Sequence, residues 1–354
     1  MWSIHVGWAI PRLTTSARCS FMISEGSTAC VDQTNGPSAP SATIPVALET
    51  FRKSMLDCDI YIRQDSEGAL TLYRKKSHAL SSSDLDRLAK RGIRELYVSH
   101  ADQEAHRHSR VPEICRDTTL PPAERYNLLR EISRASFEAV YHSGEVGQVV
   151  EFVEELGPQL TDVLSDKDLL VTELFSLMDH DDDTYSHCVN VSTYTILLAG
   201  YLGIDDREHL CAIAIGGLLH DLGKRHIELD VLNKPGKLLE AERKHVEQHP
   251  TLGFQDLLRR GDLTWEQLMM VYQHHERYDG RGYPVGIPGS EIHDLARVTT
   301  VADVFHALTS VRPYRKPMST HEACSFLADH SGKLFGPEMA KCWNSKMKSG
   351  VCVS

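Results

Sequence analysis

The sequence predicts a mainly α protein: an all-helical domain preceded by a small α/β module and a helical linker. Three observations carry that expectation. From Leu169 onward the apolar runs suit helices and end on glycine stops, such as Gly203 after Val189 to Leu202. Short alternating segments are confined to the region before residue 106. Residues 1–42 are rich in Ser, Thr, Gly, Pro and Ala without a sustained period, and read as a loose tail.

The elements follow in order. Residues 43–105 form the small module. Asp59-Ile60-Tyr61-Ile62 and Leu70-Thr71-Leu72-Tyr73 read as strands joined by a turn around Glu67-Gly68, and Glu95-Leu96-Tyr97-Val98 as another strand. Between them Ser83 is the expected cap of a short helix through Leu88 that stops at Gly92. The module holds no cluster of reactive groups, so an accessory, regulatory role is expected. Residues 106–164 read as the helical linker, starting after Pro121-Pro122 and breaking near Gly157-Pro158. Leu128, Leu129, Ile132 and Val149, Val150, Val153 give it an apolar face. Residues 165–345 form the all-helical domain and 346–354 a tail. Within the domain, Asp205 with Glu208 resembles a capping box for a helix from Arg207 to His220.

Charge and composition narrow the function classes. The 354 residues carry 38 Lys+Arg against 49 Asp+Glu, a net charge of −11 with histidine neutral. That balance argues against a nucleic-acid polymer held by a general basic surface, while a local phosphate pocket stays open. The apolar stretches are too short or too interrupted to span a bilayer, so no membrane partner is expected. Met1 to Ile10 lacks the basic flank of a secretory signal. Nine scattered cysteines with no CxxC pair read as reduced thiols, which makes a cytoplasmic location the expectation.

The chemistry is concentrated in the second half. His187, four residues after Asp183, shares a helical face with it, and His220-Asp221 ends an apolar helix before Gly223 and Lys224. His249 opens a turn at His249-Pro250, His274-His275-Glu276 follows the apolar run Leu268 to Tyr272, and Asp303 lies within Val298 to Leu308. Imidazoles and carboxylates without cysteine favour octahedral iron or manganese over a structural zinc site.

In that order, the residues resemble the HD-GYP family, a branch of the HD-domain phosphohydrolases. The resemblance rests on His187, His220-Asp221-Leu222-Gly223-Lys224, His249-Pro250, the string His274-His275-Glu276-Arg277-Tyr278-Asp279-Gly280-Arg281-Gly282-Tyr283-Pro284, and Asp303. It covers roughly residues 165–345, and Arg312-Pro313-Tyr314-Arg315 continues it. The resemblance implies an all-helical, metal-dependent phosphodiesterase that hydrolyses cyclic di-GMP to pGpG, GMP or both. It implies that His187, His220, Asp221, His249, His274, His275 and Asp303 hold two ions, with Asp221 bridging. Two metals about 3.5–4 Å apart hold a hydroxide for in-line attack on phosphorus.

The same resemblance gives the other residues their roles. Lys224 stabilises charge on the phosphoryl oxygens, and Arg312 and Arg315 hold a phosphate, or are surface charges. Some members add a third metal through a glutamate where this chain has Asp183; a third ion stays open, and so does a simple capping role for that shorter carboxylate. The loop with Gly282 and Tyr283 borders the substrate pocket and in some members docks GGDEF diguanylate cyclases, or is a structural turn. Helical linkers also leave a homodimer open. Two departures stand out: His306 where the family usually has Asp before Ala-Leu-Thr, and Gly336 in a Phe-Asp-Pro position. Two alternatives to the enzyme remain: a low-turnover cyclic di-GMP sensor or docking protein, and a phosphohydrolase for another cyclic dinucleotide or nucleotide.

Overall fold

A computed structural model describes residues 43–349, apart from 49–57, 64–69, 77–79, 100, 103–110, 143–144, 168, 170, 172–173, 176–177, 179–183, 233, 235 and 312–315. The expected tail 1–42, residues 350–354 of the expected tail 346–354, the turn at Glu67-Gly68, Asp183, and the segment Arg312 to Arg315 lie outside the described residues, while residues 346–349 of that tail are helical. The chain separates into two compact units, with the division between His106 and Arg107.

The first unit is a four-stranded antiparallel sheet with one helix. Its strands are β1 (Thr43–Ala47), β2 (Ile60–Arg63), β3 (Leu70–Arg74) and β4 (Glu95–Ser99), in the spatial order β1-β4-β2-β3. Helix α1 (Ser82–Lys90) lies between β3 and β4 in sequence. Alternation in β4 buries Leu96 and Val98, which join Ile60, Leu85 and Leu88 in the unit's own core. Strand β1 had no counterpart in the sequence reading. Its Pro45 cannot donate to a ladder, and β1 accordingly sits at the sheet's edge. The α1 cap is Ser81 rather than Ser83: its hydroxyl accepts from Asp84 N while the Asp84 carboxylate reaches back to Ser81 N.

The second unit is helical. Its principal helices are α2 (Pro122–His142), α3 (Val146–Leu164), α4 (Thr184–Tyr201), α5 (Arg207–Leu219), α6 (Glu240–Val246) and α7 (His249–Leu258), followed by α8 (Trp265–Gln273), α9 (Asp294–Thr309), α10 (Thr320–Asp329) and α11 (Pro337–Ser349). Helices α4 and α5 are apolar on almost every side because they run through the middle of the unit; Val189 to Ala199 is buried throughout. Trp343 on α11, fully buried, packs edge-on against Phe305 of α9 and Tyr194 of α4 and ties these three helices together.

Two local expectations are corrected. Helix α3 runs straight through Gly157-Pro158. A Cβ on Gly157 would stand 2.8 Å from the Ile215 side chain, so this glycine lets α3 press against α5, and the packing outweighs the two weak helix formers. The cap of α5 is Asp206, whose carboxylate accepts from His209 N, one residue after the expected Asp205. No described helix is long and apolar enough to cross a membrane.

Candidate metal centre

Helix ends build most of the site. His220 is the C-terminal cap of α5, and Asp221 follows it into a 3-10 turn, Leu222–His226. His249 does not sit in a bare turn, as its proline suggested. It begins α7, where Pro250 in the first turn lacks only an N–H that the helix would leave unbonded. His274 caps α8 and His275 comes next. His187 belongs to the first turns of α4 and Asp303 to the middle of α9. Gly223 allows the closure: a Cβ there would fall 1.9 Å from the His249 carbonyl oxygen, so only glycine lets the turn after Asp221 meet the start of α7.

All seven side chains predicted from sequence converge, in two groups. Asp221, His249, His274 and His275 form one, and His187, His220 and Asp303 the other; within each group the nearest donor atoms lie within 4.8 Å of one another. Asp221 joins them. Its Oδ2 lies 3.1 Å from His187 Nε2 and 3.3 Å from His220 Nε2, and its Oδ1 3.2 Å from His249 Nε2 and 3.7 Å from His274 Nε2. Asp303 Oδ1 stands 3.5 Å from His187 Nε2.

Three of the rings are held by their far nitrogens. The Nδ1 atoms of His220, His249 and His274 lie 2.8, 2.8 and 2.9 Å from the carbonyls of Gly217, Val246 and Val271. A ring that donates Nδ1–H to a carbonyl keeps a lone pair on Nε2 when neutral, and each Nε2 faces Asp221. Bare nitrogens and carboxylate oxygens packed this closely repel one another unless a positive charge stands between them. The buried oxygens Asp221 Oδ1 and Asp303 Oδ1 receive no hydrogen bond among the described residues. These orphaned acceptors and the convergent imidazoles fit divalent metal ions.

The electrostatics agree. Burial favours protonation of the Asp221 carboxyl, but the Lys224 ammonium and then His220 outweigh it and hold that carboxyl well below the ordinary range. Burial pushes His187 well below its usual value and His249 down to about 4. It also works against the His220 imidazolium, yet the charge of Asp221 and its hydrogen bond hold that group above its ordinary value.

Lys224 Nζ reaches Asp221 Oδ2 at 2.5 Å and borders a cleft also lined by Arg243, His275, Arg281, Gly282 and Tyr283. The Tyr283 ring stacks on His275 at 4.7 Å, so the glycine-rich loop reaches the histidine pair. Arg312, Arg315 and Asp183 lie outside the described residues.

Three supports escaped the sequence reading. The fully buried Glu276 lies outside both donor groups; its carboxylate accepts from Val285 N and Gly286 N at 2.8 and 3.0 Å and clamps the loop. Thr300 Oγ1 donates to the His274 carbonyl and the Tyr141 hydroxyl to that of Asp221. Glu276 was visible in its motif, where a clamp cannot be told from a ligand. Tyr141, 80 residues from Asp221, gave no local signal.

This bundle, with its His-Asp pair at the hub, defines an HD-domain protein, and the family model described as HD domain matches residues 166–339. A cyclic di-GMP phosphodiesterase of Pseudomonas aeruginosa is 31% identical over 287 residues, covering 74% of this chain and 67% of that protein. The chain belongs to the HD-GYP family. The cyclic di-GMP phosphodiesterase response regulator RpfG of Xanthomonas campestris is 39% identical over 159 residues, 44% of this chain and 42% of that protein. A 3'3'-cGAMP-specific phosphodiesterase of Vibrio cholerae is 37% identical over 155 residues, 44% of this chain and 33% of that protein. The chain thus spans about two thirds of the first of these relatives and less than half of the other two. Its fold is similar to that of a solved HDG"Y"P protein from Bdellovibrio bacteriovorus, with a TM-score of 0.65 at 21% identity over 86% of this chain and 99% of that one.

Proposed function

We propose that the chain is a metal-dependent phosphodiesterase that hydrolyses cyclic di-GMP to pGpG, GMP or both. The observation that carries the reading is the convergence of the two imidazole-carboxylate groups on Asp221 beside the Lys224 cleft. The activity named for several relatives supports it. Two ions, iron or manganese, would be held by His187, His220, Asp221 and Asp303 on one side and by Asp221, His249, His274 and His275 on the other. When bound, such cations screen the phosphodiester charge and acidify water.

The protein's residues do the rest. The Lys224 ammonium meets negative charge growing on the phosphoryl oxygens. In the reaction a water oxygen bonds to phosphorus, the ester P–O bond breaks, and the departing sugar oxygen takes a proton. The wall made by Gly282 and Tyr283 bounds the substrate, with Arg312 and Arg315 gripping its phosphate. Asp183 is the candidate ligand for a third ion. The same loop is the proposed contact for GGDEF cyclases, and a cytoplasmic location and a homodimer complete the proposal.

The test is turnover by purified protein loaded anaerobically with manganese or iron, with product identified by chromatography. Cyclic di-GMP left intact by metal-replete protein would refute the reading. A second reading, hydrolysis of a different cyclic dinucleotide, is favoured by the 3'3'-cGAMP-specific relative, whose identity to this chain is close to that of RpfG. Competition between the two dinucleotides decides between them.

A further inference from the structure

His306 lies one turn beyond Asp303 on α9 and is buried. Its Nδ1 is 2.9 Å from His187 Nδ1, and its Nε2 is 2.9 Å from Ser310 Oγ and 3.2 Å from the Asn190 side-chain amide. His187 therefore differs from the other clustered histidines whose rings rest on carbonyls: its outer nitrogen rests on another imidazole. Between two ring nitrogens at this distance one must donate and the other accept.

The proton inventory decides which. Ser310 Oγ also stands 2.8 Å from the His306 carbonyl, which can only accept, so its single hydroxyl proton is directed there. The oxygen then has lone pairs left for His306 Nε2–H. With its proton on Nε2, His306 has a bare Nδ1 and accepts from His187 Nδ1–H. His187 in turn keeps a lone pair on Nε2, 2.9 Å from His220 Nε2 and facing Asp221 and Asp303. The amide atom of Asn190 placed 3.2 Å from this Nε2 is Nδ2; exchanging the two ends of the amide, which have the same shape, brings its oxygen to the Nε2–H.

We infer that His306 is a positioning residue for metal binding: as a neutral acceptor it fixes the tautomer and angle of His187. This rests on the metal reading of the site. The Nδ1 of histidine and an Oδ of Asp or Asn stand the same number of bonds from Cα. A carboxylate here would hold His187 equally well but add a negative charge to the Asp221–Asp303 pair. The imidazole keeps the hydrogen bond and withholds that charge, which leaves the cation more electron-poor and less tightly held.

Calorimetric Mn²⁺ titration of metal-stripped full-length protein tests this, using His306→Phe, His306→Asn and His306→Asp. Loss of the acceptor in His306→Phe weakens binding about 10–100-fold, the usual effect of removing the partner of a ligating histidine. His306→Asn restores affinity to near the parent's, and His306→Asp exceeds it. In the zinc-loaded parent, ¹⁵N spectra should find His306 bare at Nδ1 and protonated at Nε2. Equal affinity of parent and His306→Phe, or the opposite tautomer, overturns the inference. Should His306→Phe not fold, a His306→Asp protein binding tenfold more weakly than the parent overturns it. A parent that binds no Mn²⁺ overturns the metal reading itself.

Discussion

Asp221→Asn separates the stabilising duty of the central carboxylate from its proposed metal-holding one. The substitution keeps shape and deletes charge. Its first consequence falls on Lys224, which is 7% exposed and has its ammonium 2.5 Å from Asp221 Oδ2. Removing one partner of a buried ion pair costs about 3–5 kcal/mol, because the other charge is left in a poorly solvating interior. For a helical unit of this size that lowers Tm by about 10 °C in metal-free protein. The second consequence is loss of the one carboxylate among the described residues that touches both imidazole groups, and an amide nitrogen now confronts ring lone pairs 3.1–3.3 Å away. Metal content falls to background on both sides and turnover with it. Scanning calorimetry and elemental analysis read the two effects apart. The double variant Asp221→Asn with Lys224→Met should regain most of the lost Tm, since no charge is then stranded, yet remain metal-free. A single variant with parental Tm and two bound ions would refute both the pairing energetics and the shared ligand.

Lys224→Met alone should keep its metals and lower kcat about 10²–10³-fold, the effect of deleting one preorganised charge stabiliser, measured at saturating cyclic di-GMP. Glu276→Gln retains one acceptor oxygen and loses about 1.5–3 kcal/mol of charge-assisted bonding. Amide exchange at Val285 and Gly286 should then accelerate roughly 10–100-fold while metal content is unchanged, and unaltered exchange would remove the clamp. For metal-stripped protein, burial holds folded His249 at about 4, below its unfolded value of about 6.5. Because the folded value is the lower one, the neutral ring contributes fully above pH ~6.5, and about 3 kcal/mol is lost as pH falls to about 4. Urea titrations across that range should give a falling midpoint from this group, and a His249→Asn protein a flatter profile.

The readable parts of the chain were those whose cause is local. Alternation in Glu95 to Val98 and apolar runs such as Val189 to Leu202 reflect a single burial direction or complete burial, which the pattern of side chains records directly. The proposed metal-binding set was readable as an ordered series of His and Asp residues that matched a family. Its geometry was not, because Asp221 acquires its neighbours from α4, α5, α7 and α8 through packing. Gly157-Pro158 misled for the same reason. The local penalty is real, but the glycine is what allows α3 to approach Ile215, and a sequence read one segment at a time contains no trace of α5. The Ser81 and Asp206 caps show a smaller ambiguity: several candidate oxygens lie within two residues, and only the backbone angle at the helix entrance selects one.

Why three histidines find a carbonyl and the fourth needs another imidazole follows from where helices stop. The last carbonyls of an α-helix have no amide to accept from. His220 and His274 cap α5 and α8, and their Nδ1 atoms meet the free carbonyls of Gly217 and Val271 three residues back. His249 uses the carbonyl of Val246, the final residue of α6. One hydrogen bond thus satisfies an orphaned carbonyl, fixes a tautomer and turns Nε2 toward Asp221. His187 has no such resource. It lies near the beginning of α4, where the carbonyl three residues back is already committed to the helix's own ladder. A ring in that position must obtain its acceptor from a different helix, and α9 supplies His306 one turn beyond Asp303. Helix ends therefore set the orientation of three rings at no extra cost in residues, while the fourth depends on a residue whose chemistry can vary. Charge at the centre can accordingly change through residue 306 with every ligand left in place.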